Sequence, residues 1–209
     1  MASRGKHRKA LVWAAARLFR RQGYAGTGLA DILAASGAPR GSLYHYFPGG
    51  KEAIGAEAVE AAGGLVSATL AELAATAASP AAFVRDYADM LERWLAASGY
   101  RDGCPITTTL LEMAPESEAI TAAGRTAFAD WQKTIADLLC RHGWSETEAE
   151  SLALAVIGGL EGALLLARVQ GNGAPLHAAA AALGRLLASP ATASADHSDS
   201  VQGPAAIDG

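Results

Sequence analysis

Cysteine is nearly absent. Cys104 and Cys140 are the only two in 209 residues, too few for a disulfide framework and consistent with a reducing cytoplasm. Histidine is sparse as well, with five residues and no metal-ligand spacing, so no metal and no cofactor are expected. The longest uncharged run, Val169 to Gly184, is 16 residues and includes Gly, Asn and Pro. A spanning helix needs roughly 20 mostly apolar residues, so the run argues against one. The first residues lack a basic-then-apolar start with a cleavage site, which argues against secretion. Val, Ile and Thr runs at period two are missing, and with them the signal for strands. Apolar residues, at 51%, are plentiful enough to exclude global disorder and to supply one compact domain, or one with a small appendage. With 17 Lys+Arg against 21 Asp+Glu, the formal net charge is −4. At face value that balance speaks against nucleic acid.

Its distribution reverses the argument. Residues 1–51 hold nine Lys+Arg and one acid, Asp31, a local net of +8; the rest holds eight bases and twenty acids, a net of −12. The basic quarter also carries six of the 13 aromatics: Trp13, Phe19, Tyr24, Tyr44, Tyr46 and Phe47. Its charges are interleaved with core-like apolar residues, unlike a solvated tail. A basic, aromatic-bearing module joined to an acidic body is the footprint of a nucleic-acid binder.

Fifty alanines and helical apolar spacing make the chain all-α. A first helix is expected from about Lys6 to Gln22, with Leu11, Ala15, Leu18 and Phe19 inward and Arg17, Arg20 and Arg21 opposite. Thr27 is placed as N-cap of a short second helix carrying Leu29, Ile32 and Leu33. After the break at Ser36-Gly37-Ala38, Pro39 opens a third helix running to Tyr46. Longer helices are expected over 51–77, from Ser79-Pro80 to Ser98, from Cys104-Pro105 to Met113, from Pro115 to His142, from the capping box Ser145-Glu148 to Gln170, and from Pro175 to Ala188. Residues 189–209, small, polar and aperiodic, read as a disordered tail. The division is thus 1–50, 51–188 and 189–209.

A short helix after a tight turn fits the DNA major groove when apolar residues dock it and donors face outward. In PRGSLYHYF, Leu43 and Phe47 dock at i, i+4. Arg40, Ser42, Tyr44, His45 and Tyr46 remain on other faces, Gly41 leaves room for a close approach, and Lys51 can reach a phosphate. For Tyr44, half-burial against the first helix is an equal reading.

The stretch ALVWAAARLFRRQGYAGTGLADILAASGAPRGSLYHYFPGGKEAI resembles the N-terminal domain of TetR-family transcriptional regulators. The resemblance runs through Leu18-Phe19, Gly23-Tyr24, Thr27, Ile32, Gly37, Gly41-Ser42-Leu43-Tyr44, Phe47 and Lys51-Glu52. GCPITTTLLEMAPES, from Gly103, is similar to the Gly-Cys-Pro segment of the LmrA/YxaF-type subgroup, whose proposed ligands include flavonoids and antibiotics. The resemblance implies a three-helix helix-turn-helix domain and a larger helical domain for ligand binding and dimerisation. It implies DNA contacts at Thr27, Arg40, Gly41, Ser42, Tyr44, His45, Tyr46 and Lys51. The expected partners are a palindromic double-stranded DNA operator, a small-molecule effector and a second copy of the chain, with no membrane.

In the body, two late helices each show more apolar surface than one core covers. The faces assigned to a homodimer are Leu152, Val156, Gly159, Ala163 and Leu166, with Leu176, Ala180, Leu183 and Leu187. A thicker monomer core is the other reading. Met90, Trp94, Leu110, Met113, Phe128, Trp131, Ile135, Leu160 and Glu161 are the candidate ligand residues. Glu161 interrupts the apolar run IGGLEGALLL, where a carboxylate is costly unless paired or solvated. Function therefore reads as a ligand-responsive repressor rather than an enzyme. A thiol-responsive regulator using Cys104 or Cys140, and a helical enzyme of unrecognised type, are the alternatives.

Overall fold

A computed structural model describes residues 2–188; the tail expected at 189–209 lies outside the described residues. Nine helices organise the described chain: α1 (Ala2–Gln22), α2 (Leu29–Ser36), α3 (Arg40–Tyr46), α4 (Gly50–Thr76), α5 (Pro80–Ala97), α6 (Thr107–Met113), α7 (Glu118–Arg141), α8 (Glu146–Gln170) and α9 (Ala174–Leu186). The all-α class therefore holds.

Local chemistry sets most boundaries. The Ser79 and Ser117 hydroxyls accept the N–H groups of Ala82 and Ile120, capping α5 and α7, and Ser145 with Glu148 forms the expected capping box on α8. Thr27 does not cap α2. It is fully buried, its hydroxyl donates to the Gly23 carbonyl at 2.8 Å, and Gly28 takes the cap position with its N–H donating to Asp31. Gly37, at φ +62°, ends α2 in the left-handed region that a side chain disfavours. Pro39 stands just before α3 rather than within it. The segments opening at Cys104 and Pro115 become helical only at Thr107 and Glu118.

The helices α1, α2 and α3 pack around Leu11, Phe19, Ile32, Leu43 and Phe47, all nearly inaccessible. Burying each side chain of that size contributes about 1.5–3 kcal/mol. The core continues into the body through α4, which lies along α7. The crossing is close: a Cβ on Gly63 would stand 2.7 Å from that of Ala127. The Gly63 carbonyl instead accepts the Trp131 indole N–H at 3.3 Å. Helix α8 packs on α7 and α9, and α9 on α5.

Two helices have the length and composition of a membrane span, with mean hydropathies of 1.3 (α4) and 1.9 (α8). In α8 the uncharged stretch is divided by Glu161. Both helices carry a face packed into the protein: Ile54, Val59, Val66 and Leu70 on α4, and Ala153, Val156, Leu160 and Ala167 on α8.

Candidate nucleic-acid interface and the cavity beside it

Helix α3 is held by Leu43 and Phe47, with Tyr46 packed partly against the same core, and its other side chains lie on the remaining faces. Arg40, Gly41, Tyr44 and His45 are exposed, while Ser42 and Tyr46 are half-buried. Tyr44, 61% exposed, is not folded against α1. The His45 and Tyr46 rings meet edge-on at 5.0 Å. One face of α3 thus presents a guanidinium, a phenol, an imidazole and an open glycine backbone, donors suited to phosphates and base edges.

Two residues assigned to this interface stand elsewhere. Thr27 is buried, with its hydroxyl spent on Gly23. Lys51 is half-buried, its Nζ 4.1 Å from the centroid of the Tyr24 ring. Burial lowers its pKa, and nearby Glu112 partly offsets that. A cation gains electrostatically over an aromatic face, which orients the Lys51 ammonium toward Tyr24.

A cavity of about 400 Å³ opens beside the helix-turn-helix, between α1, α4, α5, α8 and the segment leading to α6. Of the candidate ligand residues, Trp94, Trp131 and Glu161 line it. The other six candidates do not. Ile135 and Leu160 are core residues, Leu110 packs on Gly124, and Met90, Met113 and Phe128 lie against the core, with Phe128 edge-on to Trp131. Core and cavity residues share one apolar periodicity, so spacing alone did not separate them.

The residues missed are informative. Tyr87, Leu91 and Leu95 join Trp94 on one face of α5, while Trp13, Arg17 and Arg20 come from α1 at i, i+4, i+7. The last three have helical spacing visible in the sequence, where the charges of Arg17 and Arg20 read as a solvent-facing side; Arg17 is exposed and Arg20 half-buried. Arg17 reaches the Ala35 carbonyl at 3.5 Å, and Arg20 pairs with Asp102 at 2.8 Å.

The end of α1 is gripped from the body in four places. Besides the Arg20–Asp102 pair, the Gly103 N–H donates to the Arg20 carbonyl at 2.8 Å, and Arg168 of α8 donates to the Arg21 carbonyl at 3.4 Å. Glu112 of α6 accepts the backbone N–H groups of Tyr24 and Ala25 at 3.0 and 2.6 Å. The segment from Asp102 to Pro105 thus lines the cavity and holds α1.

Glu161 is largely shielded. Thr107 donates to its Oε2 at 2.9 Å; burial raises its pKa, and hydrogen bonds from Cys104 and Thr107 pull the other way. The neighbouring hydroxyls of Thr108 and Thr109 serve their own backbone, at Cys104 and Pro105. Burial, then Glu161, pushes the Cys104 thiol up to about 12, which keeps it protonated and a poor nucleophile. Cys140 is exposed. Because a carboxyl raised in the fold favours its protonated form, stability falls as pH climbs above the ordinary value of 4.5. The expected result is that Glu161→Gln changes Tm little below pH 4.5 and raises it increasingly toward neutrality. Scanning calorimetry across pH checks this, and a pH-independent difference refutes it.

The faces assigned to dimerisation are only partly available. Val156, Ala163, Leu176, Ala180 and Leu187 are buried within the chain, because α8 and α9 use those faces to pack on each other and on the body. Leu152, Gly159 and Leu183 are half-buried, and Leu166 is exposed. The outward apolar set is Leu154, Leu165, Leu166, Val169 and Leu186, beside a shallow groove floored by Gly158, Gly162 and Ala178.

Residues 11–58 match the N-terminal domain described as that of bacterial regulatory proteins of the tetR family, and residues 80–182 match the C-terminal domain of LmrA/YxaF-like transcriptional regulators. The chain is 33% identical to the HTH-type transcriptional regulator LmrA of Bacillus subtilis, over 83% of this chain and 93% of that protein. The chain belongs to the TetR family of transcriptional regulators. A second TetR-family relative, YxaF of the same organism, is 32% identical over 84% of this chain and 92% of its own length. A regulatory protein TetR from Rhodobacter sphaeroides superposes with a TM-score of 0.76 at 29% identity, covering 85% of this chain and 96% of its own. Helices α1–α3 accordingly belong to the N-terminal helix-turn-helix domain of a TetR-family regulator.

Proposed function

We propose that this protein is an effector-responsive repressor that acts in the cytoplasm as a homodimer. In this reading residues 1–50 bind DNA, and residues 51–188 bind the effector and the second copy. Arg40, Gly41, Ser42, Tyr44, His45 and Tyr46 of α3 form the DNA-contacting set. Two recognition helices roughly 34 Å apart would read a palindrome. The outward leucines of α8 and the glycine-floored groove supply the apolar surface for the second copy.

The observation that carries the effector reading is the cavity wall. Trp13, Arg17 and Arg20 belong to the helix that supports α3, and they line a cavity large enough for a small molecule. A ligand there displaces the structure only if it binds the DNA-incompetent arrangement more tightly. The test begins with footprinting of the purified protein on the DNA upstream of its own gene, followed by titration of the complex with compounds. Binding is expected to weaken steeply with salt, as phosphate contacts require, and a cavity ligand should release the DNA. A flat salt response overturns the DNA reading. An operator complex indifferent to every compound that fills the cavity overturns the effector reading.

A further inference from the structure

The cavity carries two polar groups of opposite charge, Arg20 of α1 and Glu161 of α8, each held by one short segment. Asp102 holds Arg20 of α1, and two residues on, Cys104 lies against Glu161. Two residues of extended chain reach at most about 7 Å, so the backbones that present these two sites are close neighbours. Most of the remaining lining is apolar, with Trp94, Trp131, Leu91 and Leu95 among it. The Arg20 Nε is buried and has no hydrogen-bond partner among the described residues. A buried N–H left unmatched is destabilising, and an acceptor brought by a ligand removes that cost. Glu161 accepts from Thr107 and Cys104 in the same cavity, and its carboxylate has lone pairs left for one more donor.

Resting on the reading of this cavity as the effector site, we propose that its ligand is an aromatic hydroxy acid. The ring system stacks among the tryptophans and leucines, a hydroxyl donates to Glu161, and the ligand's carboxylate takes Arg20 from Asp102. The exchange has a mechanical result. Arg20–Asp102 is one of the four holds on the end of α1, and with the Gly103–Arg20 bond it is one of two that come from the segment lining the cavity, so a ligand that replaces Asp102 leaves α1 tied to that segment by the Gly103 bond alone. Arg20 is then both the anchor for the anion and the point at which occupancy reaches the DNA-binding helices.

Isothermal calorimetry on the full-length protein with four compounds tests this: 6-hydroxy-2-naphthoate, 2-naphthoate, 2-naphthol and naphthalene. The hydroxy acid is expected to bind most tightly, with each single-group compound weaker by roughly tenfold, the scale of one charge-assisted hydrogen bond. Asp102→Asn, which frees Arg20, is expected to tighten both carboxylates by roughly tenfold and leave 2-naphthol unchanged. Damage to the fold would weaken all of them. Arg20→Met should abolish the advantage of the carboxylates, and Glu161→Leu that of the hydroxyl. Naphthalene binding as tightly as the hydroxy acid overturns the proposal, as does an Asp102→Asn protein without the selective gain. If none of the four binds while another compound releases the operator, the ligand class falls and the effector reading stands. If the hydroxy acid binds in the expected order and leaves the operator complex intact, the effector reading falls and the ligand class stands.

Discussion

Arg40→Ala is expected to lower operator affinity about a hundredfold or more while leaving Tm nearly unchanged. Arg40 is exposed at the start of α3 and belongs to no ion pair among the described residues, so its loss takes nothing from the core. An exposed substitution of this kind changes stability by about 0.5 kcal/mol or less. On DNA, a good arginine contact is worth about 1–3 kcal/mol, and a dimer makes it twice. Fluorescence anisotropy on the footprinted operator at fixed salt, paired with circular dichroism melting, separates the two effects. Unchanged affinity removes Arg40 from the interface, and lost affinity with a collapsed Tm would assign it to folding.

The second large effect concerns Glu112. Its carboxylate receives the N–H groups of Tyr24 and Ala25, just past the end of α1. Each such bond to a charged group contributes about 1.5–3 kcal/mol when shielded, and the bond to Ala25 is exposed. Glu112→Ala should therefore cost about 2–4 kcal/mol. In a chain of this size that lowers Tm by roughly 4–16 °C. Lys51 also loses its favourable neighbour. Glu112→Gln, with one acceptor oxygen left, should fall between. The same variants are expected to blunt effector-driven release, since α6 would no longer hold the turn after α1. A Tm equal to that of the parent, or release that is fully retained in Glu112→Ala, refutes this role.

Much of this arrangement was legible in residue order alone. The Ser79 and Ser145 caps, the Gly37 turn and the docking pair Leu43 and Phe47 are local features, each decided within a few positions, and each stands where the spacing put it. What failed depended on contacts distant in sequence. Thr27 looks like a cap until Gly23 claims its hydroxyl. Lys51 looks free until Tyr24 lies beneath it. Val156 and Leu176 have the spacing of an interface, yet α9 and α5 cover them from within the same chain. The cavity was the hardest to read, because its wall on α1 is about 80 residues from its wall on α5 and more than 140 from Glu161. A single helix's periodicity says which face is apolar, but not whether a neighbour fills it or leaves room.

The two walls of the cavity are not equally free to change. Tyr87, Leu91 and Trp94 take no part in the four holds on the end of α1, so selection or design can reshape them to admit a different molecule at little risk to operator recognition. Trp13, Arg17 and Arg20 line the proposed effector cavity and belong to the DNA-binding scaffold at once. Any retuning on that side alters what the protein detects and how firmly it holds the genome in the same stroke. Drift in specificity should therefore accumulate on α5 and stall on α1.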